Sequence, residues 1–190
     1  MSKQLAFVID LRRCIGCDTC VIGCKVENHV TSGKFRLQVY DSARDPVYET
    51  PQGSFPNLTQ HWLPTMCHHC LDAPCVTACP TTALWRRDDD GVVMLDKDKC
   101  IGCSRCEEVC PYEALSFDDD AGTADKCNMC EHRLKKGEGP ACALVCPTRA
   151  IHHGDIHDPN SRVSQLLATR EHKLLREGIG AKPQIYYLEP

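Results

Sequence analysis

Apolar positions along the chain come in short groups separated by polar and turn-forming residues. Ala6-Phe7-Val8-Ile9-Asp10 is apolar and rich in strand formers, which predicts a strand leading towards Cys14. Asp18 to Asn28 then reads as a short helix. Arg36 to Tyr40 and His61 to Pro64 read as strands bracketing a turn-rich insertion with Pro46, Pro51, Gly53 and Pro56. Ala83 to Arg87 and Val92 to Leu95 flank Asp88-Asp89-Asp90-Gly91 as a hairpin, and helices are expected near Ser104 to Val109, Asn128 to Lys135 and Ala141 to Val145. Asn160-Ser161 is placed to cap a helix from about Arg162 to Arg176. Gly178 and Gly180 then release an extended tail ending Gln184-Ile185-Tyr186-Tyr187-Leu188, read either as a docking segment for a partner or as an edge strand of the chain's own sheet.

None of these groups approaches the ~18–20 continuous apolar residues of a membrane-spanning helix, so no direct span is expected and membrane association would come through a partner. The opening MSKQLAFVIDLRRC has too short an apolar run for an export signal, so none is expected in this chain. The formal charge of −4 argues against nucleic acid as a partner. With four phenylalanines, two tryptophans, twelve glycines and twelve prolines, the apolar material suits thin layers around cofactors better than one thick core. Sixteen cysteines in 190 residues point to metal ligation as the missing source of stability.

The cysteines fall into four quartets with none left over: Cys14, Cys17, Cys20, Cys24; Cys67, Cys70, Cys75, Cys79; Cys100, Cys103, Cys106, Cys110; and Cys127, Cys130, Cys142, Cys146. The first and third read C-x2-C-x2-C-x3-C, the bacterial ferredoxin run. A cubane offers irons at the corners of a small tetrahedron. A tight loop aims three sulfurs at one such cube, and the fourth cysteine is free to reach a neighbouring one. The second and fourth quartets widen one gap but keep the opening C-x2-C and the closing C-x3-C-P. Pro80, Pro111 and Pro147 follow three of the last cysteines and turn the chain after the ligand, whereas Lys25 stands there in the first quartet. Ile15-Gly16 is echoed by Ile101-Gly102, as internal duplication would leave it. Glycine there permits close approach to a cluster, and it is equally what an ordinary tight turn uses.

Other uses of the thiols fit the pattern less well. A disulfide scaffold gives no reason for four C-x2-C pairs, and zinc would not want a third cysteine two residues further on. A reactive thiol is disfavoured because every cysteine already has a ligand role. Among the histidines, His69 is the candidate donor for tuning a cluster potential and His68 is expected to be exposed; His152, His153 and His157 are read as surface residues. Arg13, Lys99 and Lys126 each precede the first cysteine of a quartet, and Arg105 lies inside the third. Either they offset the charge of about −2 on each oxidised all-cysteine cubane, or they are solvated loop charges. Asp88-Asp89-Asp90 and Asp118-Asp119-Asp120 are read as polar loop tips without chemistry.

Beyond spacing, the chain resembles the iron–sulfur subunits of the dimethyl sulfoxide reductase family of molybdopterin oxidoreductases, including polysulfide, thiosulfate, tetrathionate and arsenate reductases. The resemblance rests on C-I-G-C-D-T-C-V-I-G-C-K-V-E-N at Cys14 to Asn28 and C-H-H-C-L-D-A-P-C-V-T-A-C-P-T at Cys67 to Thr81. It extends through C-N-M-C-E-H-R-L-K-K-G and P-A-C-A-L-V-C-P-T at the fourth quartet, and G-D-I-H-D-P-N-S at Gly154 to Ser161. It implies an α+β fold of two interlocked ferredoxin-like 2[4Fe–4S] units plus a C-terminal helix and extended tail. The first unit would comprise residues 1–60 and 118–155 with an insertion at 31–60, the second 61–117, and the remainder 156–190. Spacing by itself leaves quartets three and four free to pair instead.

The resemblance further implies four [4Fe–4S] clusters: one on Cys14, Cys17, Cys20 and Cys146, a second on Cys127, Cys130, Cys142 and Cys24. Cys67, Cys70, Cys75 and Cys110 would hold the third, and Cys100, Cys103, Cys106 and Cys79 the fourth. It implies no catalytic residue, a molybdopterin-containing catalytic subunit as partner, and a membrane anchor subunit or cytochrome on the other side. Export folded with a signal-bearing partner would place such a subunit in the periplasm, and without it the chain would be cytoplasmic. An independent polyferredoxin, or an electron-transfer subunit of a hydrogenase or formate dehydrogenase, remains open on the residues alone.

Overall fold

A computed structural model describes residues 3–41 and 52–189, so Pro46 and Pro51 of the insertion lie outside the described residues. The expected first strand is β1 (Leu5–Asp10), and every residue of it is buried. A strand alternates its side chains between two faces, so total burial requires a layer on each. Phe7 and Ile9 face the main core with Val21, Leu37 and Met66, while Val8 packs against Val163, Leu166 and Leu188.

Its neighbours come from the far end of the chain. β1 pairs antiparallel with β10 (Ile151–Asp155) and parallel with β12 (Ile185–Leu188), which in turn pairs with the short β11 (His172–Lys173). The expected C-terminal tail is therefore an interior strand of a four-stranded sheet in the order β10-β1-β12-β11, with Ile185, Tyr187 and Leu188 fully buried. It does not hang free for a partner. Just before it, the Gln184 N–H donates to the His68 carbonyl at 2.8 Å and the Leu71 N–H to the Lys182 carbonyl at 3.0 Å, which ties the second quartet to the sheet.

Helix α1 (Thr19–Glu27) carries Cys20 and Cys24 of the first quartet, and α5 (Ala141–Val145), in the fourth, packs on it. A Cβ at Gly23 would stand 2.7 Å from Val145 Cγ2, so this contact needs the glycine. Strands β2 (Leu37–Asp41) and β5 (Trp62–Met66) pair antiparallel, as do β3 (Gln52–Ser54) and β4 (Asn57–Thr59), a small hairpin the turn-rich composition concealed. The second half repeats the plan in smaller pieces: α2 (Pro74–Ala78) packs on α3 (Arg105–Glu108), beside the expected hairpin β6 (Leu84–Arg86) with β7 (Val93–Leu95). A further hairpin joins β8 (Leu115–Asp118) to β9 (Thr123–Lys126), and α4 (Glu131–Leu134) is shorter than expected. Cores of small volume result, one around Phe7, Ile9 and Met66 and another around Leu84, Tyr112 and Leu115.

Helix α6 (Arg162–Thr169) is capped as expected, with the Ser161 hydroxyl accepting from the Ser164 N–H at 3.1 Å. It ends at Thr169, well short of Arg176, because only Val163 and Leu166 have a core to enter and the chain then turns into β11. Among the described residues, no helix is long and apolar enough to cross a membrane.

Candidate functional site

The two C-x2-C-x2-C-x3-C runs fold alike. Gly16 and Gly102 have φ of 66° and 68°, and Asp18 and Ser104, each just after a second cysteine, have φ of 55° and 57°. A Cβ at Gly16 would stand 2.5 Å from the Trp62 ring, and one at Gly102 2.6 Å from the Gly122 carbonyl oxygen. Both positions therefore need glycine for the turn and for a close neighbour at once. The three C-P endings also agree: Thr82, Glu113 and Arg149, each three residues past the last cysteine, all have φ of 53°. Cys79 and Cys146 are held extended with ψ of 112°, as a following proline demands.

All sixteen thiols are free of disulfides, and the fold brings them together across the quartets. Burial pushes the Cys14 thiol up to about 11 and Cys20 up to about 12; charges on Cys146 add to both. Cys24 is also pushed up to about 11 by burial, then by Cys130 rather than by a member of its own run. Cys24, Cys127, Cys130 and Cys142 line one small cavity together with Asn28, Arg36 and Met129. Cys70 and Cys75 are each driven up to about 12 by burial, with Cys67 and Cys110 as charged neighbours. Cys79, Cys100, Cys103 and Cys106 line a second small cavity with Ile101, Gly102 and Ala124.

Buried thiols raised in this way are poor sites for lone anions, and what would hold them as thiolates is bound metal. Among the described residues, no three His, Cys, Asp or Glu side chains converge closely enough to hold a single metal ion. Zinc, at about 2.3 Å from each sulfur, asks for such tight convergence, whereas a multi-iron core spreads its ligands wider. The donor set of thiols around small cavities thus fits a cubane. Donors to sulfur are in place as well. The Ala150 N–H reaches Cys146 Sγ at 3.2 Å, the Met129 N–H reaches Cys127 Sγ at 3.4 Å, and Asn28 Nδ2 lies 3.5 Å from Cys130 Sγ. Such bonds favour the thiolate, and at Cys146 the Thr148 hydroxyl, with the N–H groups of Ala150, Ile151 and Thr148, outweighs burial and lowers its pKa.

Several expectations about side chains are corrected. His68 is buried rather than exposed and stacks on Tyr112 at 3.7 Å; His69 is buried as well, its Nδ1 accepting from the Val93 N–H at 3.1 Å. Burial holds His69 well below its ordinary pKa, so the ring is neutral with its proton on Nε2. Arg13 and Lys99 are exposed loop charges and Arg105 is exposed at the start of α3, but Lys126 is buried, its ammonium donating to the Val93 and Cys127 carbonyls. Asp90 and Asp118 are likewise buried and structural, Asp90 pairing with Arg87 and Asp118 accepting from the Thr31 hydroxyl at 2.9 Å. Two contributors went unassigned from the residues alone. Asn28 closes the C-I-G-C motif and so was findable; Arg36, bidentate to Asp125 at 2.6 and 2.7 Å, carried no local signal because its partner lies 89 residues away.

Comparison with known proteins agrees with this geometry. Two models of a 4Fe-4S dicluster domain match, one over residues 6–80 and the other over 58–156. The chain is 40% identical to a subunit of the tetrathionate reductase of Salmonella typhimurium, over 97% of its own length and 72% of the relative's. It is 37% identical to one polypeptide of the polysulfide reductase of Wolinella succinogenes, covering 98% of its own length and 94% of that relative. Identity is 33% to the arsenate respiratory reductase iron-sulfur subunit of a Shewanella species, across 97% and 96% of the two sequences. The sixteen cysteines fit four [4Fe–4S] clusters, and the protein belongs to the non-catalytic iron–sulfur electron-transfer subunits of the dimethyl sulfoxide reductase family of molybdopterin oxidoreductases.

Proposed function

We propose that this protein relays single electrons between a quinol- or cytochrome-linked partner and a molybdopterin-containing catalytic subunit, through four clusters held by crossed cysteine sets. Cys14, Cys17, Cys20 and Cys146 would hold one, Cys24, Cys127, Cys130 and Cys142 the next. Cys67, Cys70, Cys75 and Cys110 follow, then Cys79, Cys100, Cys103 and Cys106. Each bound cubane supplies a site that takes up and gives back one electron. The unit boundaries proposed are those expected from the sequence, 1–60 with 118–155 interlocked with 61–117, except that 156–190 completes the first unit's sheet.

The observation that carries this reading is the series of thiol neighbours that links each set to another. Cys20 acts on Cys142, Cys67 on Cys127, and Cys106 on Cys75, so every set holds a thiol that feels one of the next. In the outer sets Cys17 and Cys103 are exposed, while the middle sets are buried but for the half-buried Cys110. Such an arrangement brings electrons in at one surface and out at another while the protein excludes water between them.

The test is anaerobic purification with iron and sulfide analysis, electron paramagnetic resonance and identification of co-purifying proteins. About sixteen irons per chain are expected, with a larger molybdenum-containing partner attached. Zinc in place of iron would overturn the reading, and so would a colourless protein. An iron-loaded chain that purifies alone and exchanges electrons with several enzymes would favour the independent polyferredoxin.

A further inference from the structure

Two cations lie near the thiols, Arg36 half-buried and Lys126 buried, and they are not equivalent. Arg36 lies beside Cys24 and Cys127, but its charge is met by the Asp125 carboxylate in a bidentate pair. Lys126 is only 3% exposed, and among the described residues no carboxylate pairs with it. Two carbonyls hold its ammonium, that of Val93 and, at 2.8 Å, that of Cys127. A buried ammonium without a carboxylate partner is costly and persists only where anionic charge lies close by. Its two carbonyl partners tie Lys126 to two different sets. Cys127 is itself a proposed ligand of the second set, whereas Val93 packs in one core with Cys70 and Cys75 of the third and donates its N–H to the ring of His69, which stands between Cys67 and Cys70. The ammonium therefore sits where the second and third sets approach, and its charge opposes the rise that burial imposes on the thiols of Cys75 and Cys127 alike.

We propose that Lys126 is a shared positioning residue for the two central clusters, its fixed positive charge raising both reduction potentials together across the junction between the ferredoxin-like units. The proposal rests on the crossed cysteine sets proposed above. A cation placed between two stations of a relay favours the electron on either of them and leaves the gap between them nearly unchanged, so the junction passes electrons without becoming a trap. The outer sets, on Cys14 and Cys100, are expected to keep their potentials.

Lys126→Met, Lys126→Gln and Lys126→Arg, made in the full-length protein and purified anaerobically with whatever partners accompany it, test this. Iron is counted first, and each cluster's potential is then read by redox titration under electron paramagnetic resonance. In loaded protein, Met and Gln are expected to lower two of the four potentials by similar amounts and leave two in place, with Arg restoring them. Loss of iron in Met and Gln but not in Arg also supports a requirement for the charge. Unchanged potentials, a shift in one cluster alone or in all four alike, or equal loss of iron in all three variants overturns it. About sixteen irons in the unsubstituted protein, together with unmoved potentials in the variants, would sink the lysine's role while leaving the relay intact.

Discussion

The cysteine run from Cys14 to Cys24 and the run from Cys100 to Cys110 share one spacing and, through Gly16/Gly102 and Asp18/Ser104, nearly one backbone. They part at the next residue. Pro111 cannot continue a helix, so α3 has four residues and Cys110 lies beyond its end; Lys25 can, so α1 has nine and Cys24 lies inside it. The longer helix is used. Lys25 Nζ donates to the carbonyls of Thr31 at 3.0 Å and Lys34 at 2.6 Å and lies over the Phe35 ring, organising the segment that brings Asn28 and Arg36 to the second set. Its last residue, Glu27, reaches α4 in the fourth quartet, accepting from Arg133 Nη1 at 3.0 Å and pairing with His132 at 2.7 Å. Ligand spacing thus fixes the loop, and the residue after the last ligand decides what is built upon it.

The sharpest way to break this comparison is to remove the fourth cysteine of each run. Cys24→Ser is expected to lose the resonance signal that Cys130→Ser also loses, and Cys110→Ser the one lost with Cys70→Ser, with iron falling from about sixteen to about twelve in each case. Loss of the signal shared with Cys14 or Cys100 instead would show that each run serves only itself. Next comes Lys25→Pro, which imposes the other quartets' ending on α1. The ring would clash with the Val21 carbonyl and remove a helix bond, at about 3 kcal/mol or more, visible as a lower melting temperature of the loaded protein. The reverse exchange, Pro111→Lys, is expected to cost within about 1 kcal/mol, because α3 has no following segment that depends on its length.

The glycine pair sharpens the likeness rather than the difference. Gly16→Ala and Gly102→Ala both force a side chain onto a positive φ, a strain of order 1–3 kcal/mol. The new methyl meets a side chain in one case, Trp62, and backbone in the other, the Gly122 carbonyl. A ring can swing aside and a backbone carbonyl in a turn cannot, so Gly102→Ala is expected to destabilise more in chemical denaturation. Equal effects would mean that backbone strain alone sets the cost.

How far the sequence carried the reading follows from which forces are local. Ligand loops, the strand at Ala6 to Asp10, the 83–95 hairpin and the helix at Ala141 to Val145 were all legible, because spacing, alternation and proline act within a few residues. Burial of His68, His69 and Lys126 was not. Each is polar and adjoins a cysteine, which marks a loop, and only the packing of Tyr112 and the Val93 backbone from elsewhere in the chain encloses them. The C-terminal strand was ambiguous for a related reason: Ile185 to Leu188 reads as apolar and extended whether it covers a partner or its own sheet, and the open slot beside β1 is visible only in three dimensions.

The smallest expected effect concerns the extra turn of α1 itself. His132 first, and then Arg133, hold the Glu27 carboxyl below the usual carboxylate range, against a desolvation that works the other way. A depressed carboxylate contributes stability that is complete above its ordinary value and is lost as pH falls through the lowered one. The contact between α1 and α4 should therefore be intact near neutrality and fade only in acid. Because the pair is partly exposed, solvent and salt screen it, so Glu27→Gln should give the smallest change in melting temperature of the series, shrinking further at high ionic strength. The third quartet supplies the control: α3 ends without such a turn, so Glu108→Gln at the end of that helix should show no corresponding loss in the acid range. A Glu27→Gln effect that persisted undiminished in high salt would mean that the carboxylate holds α4 by geometry rather than by charge, and the longer helix would then be a brace rather than an ionic clasp.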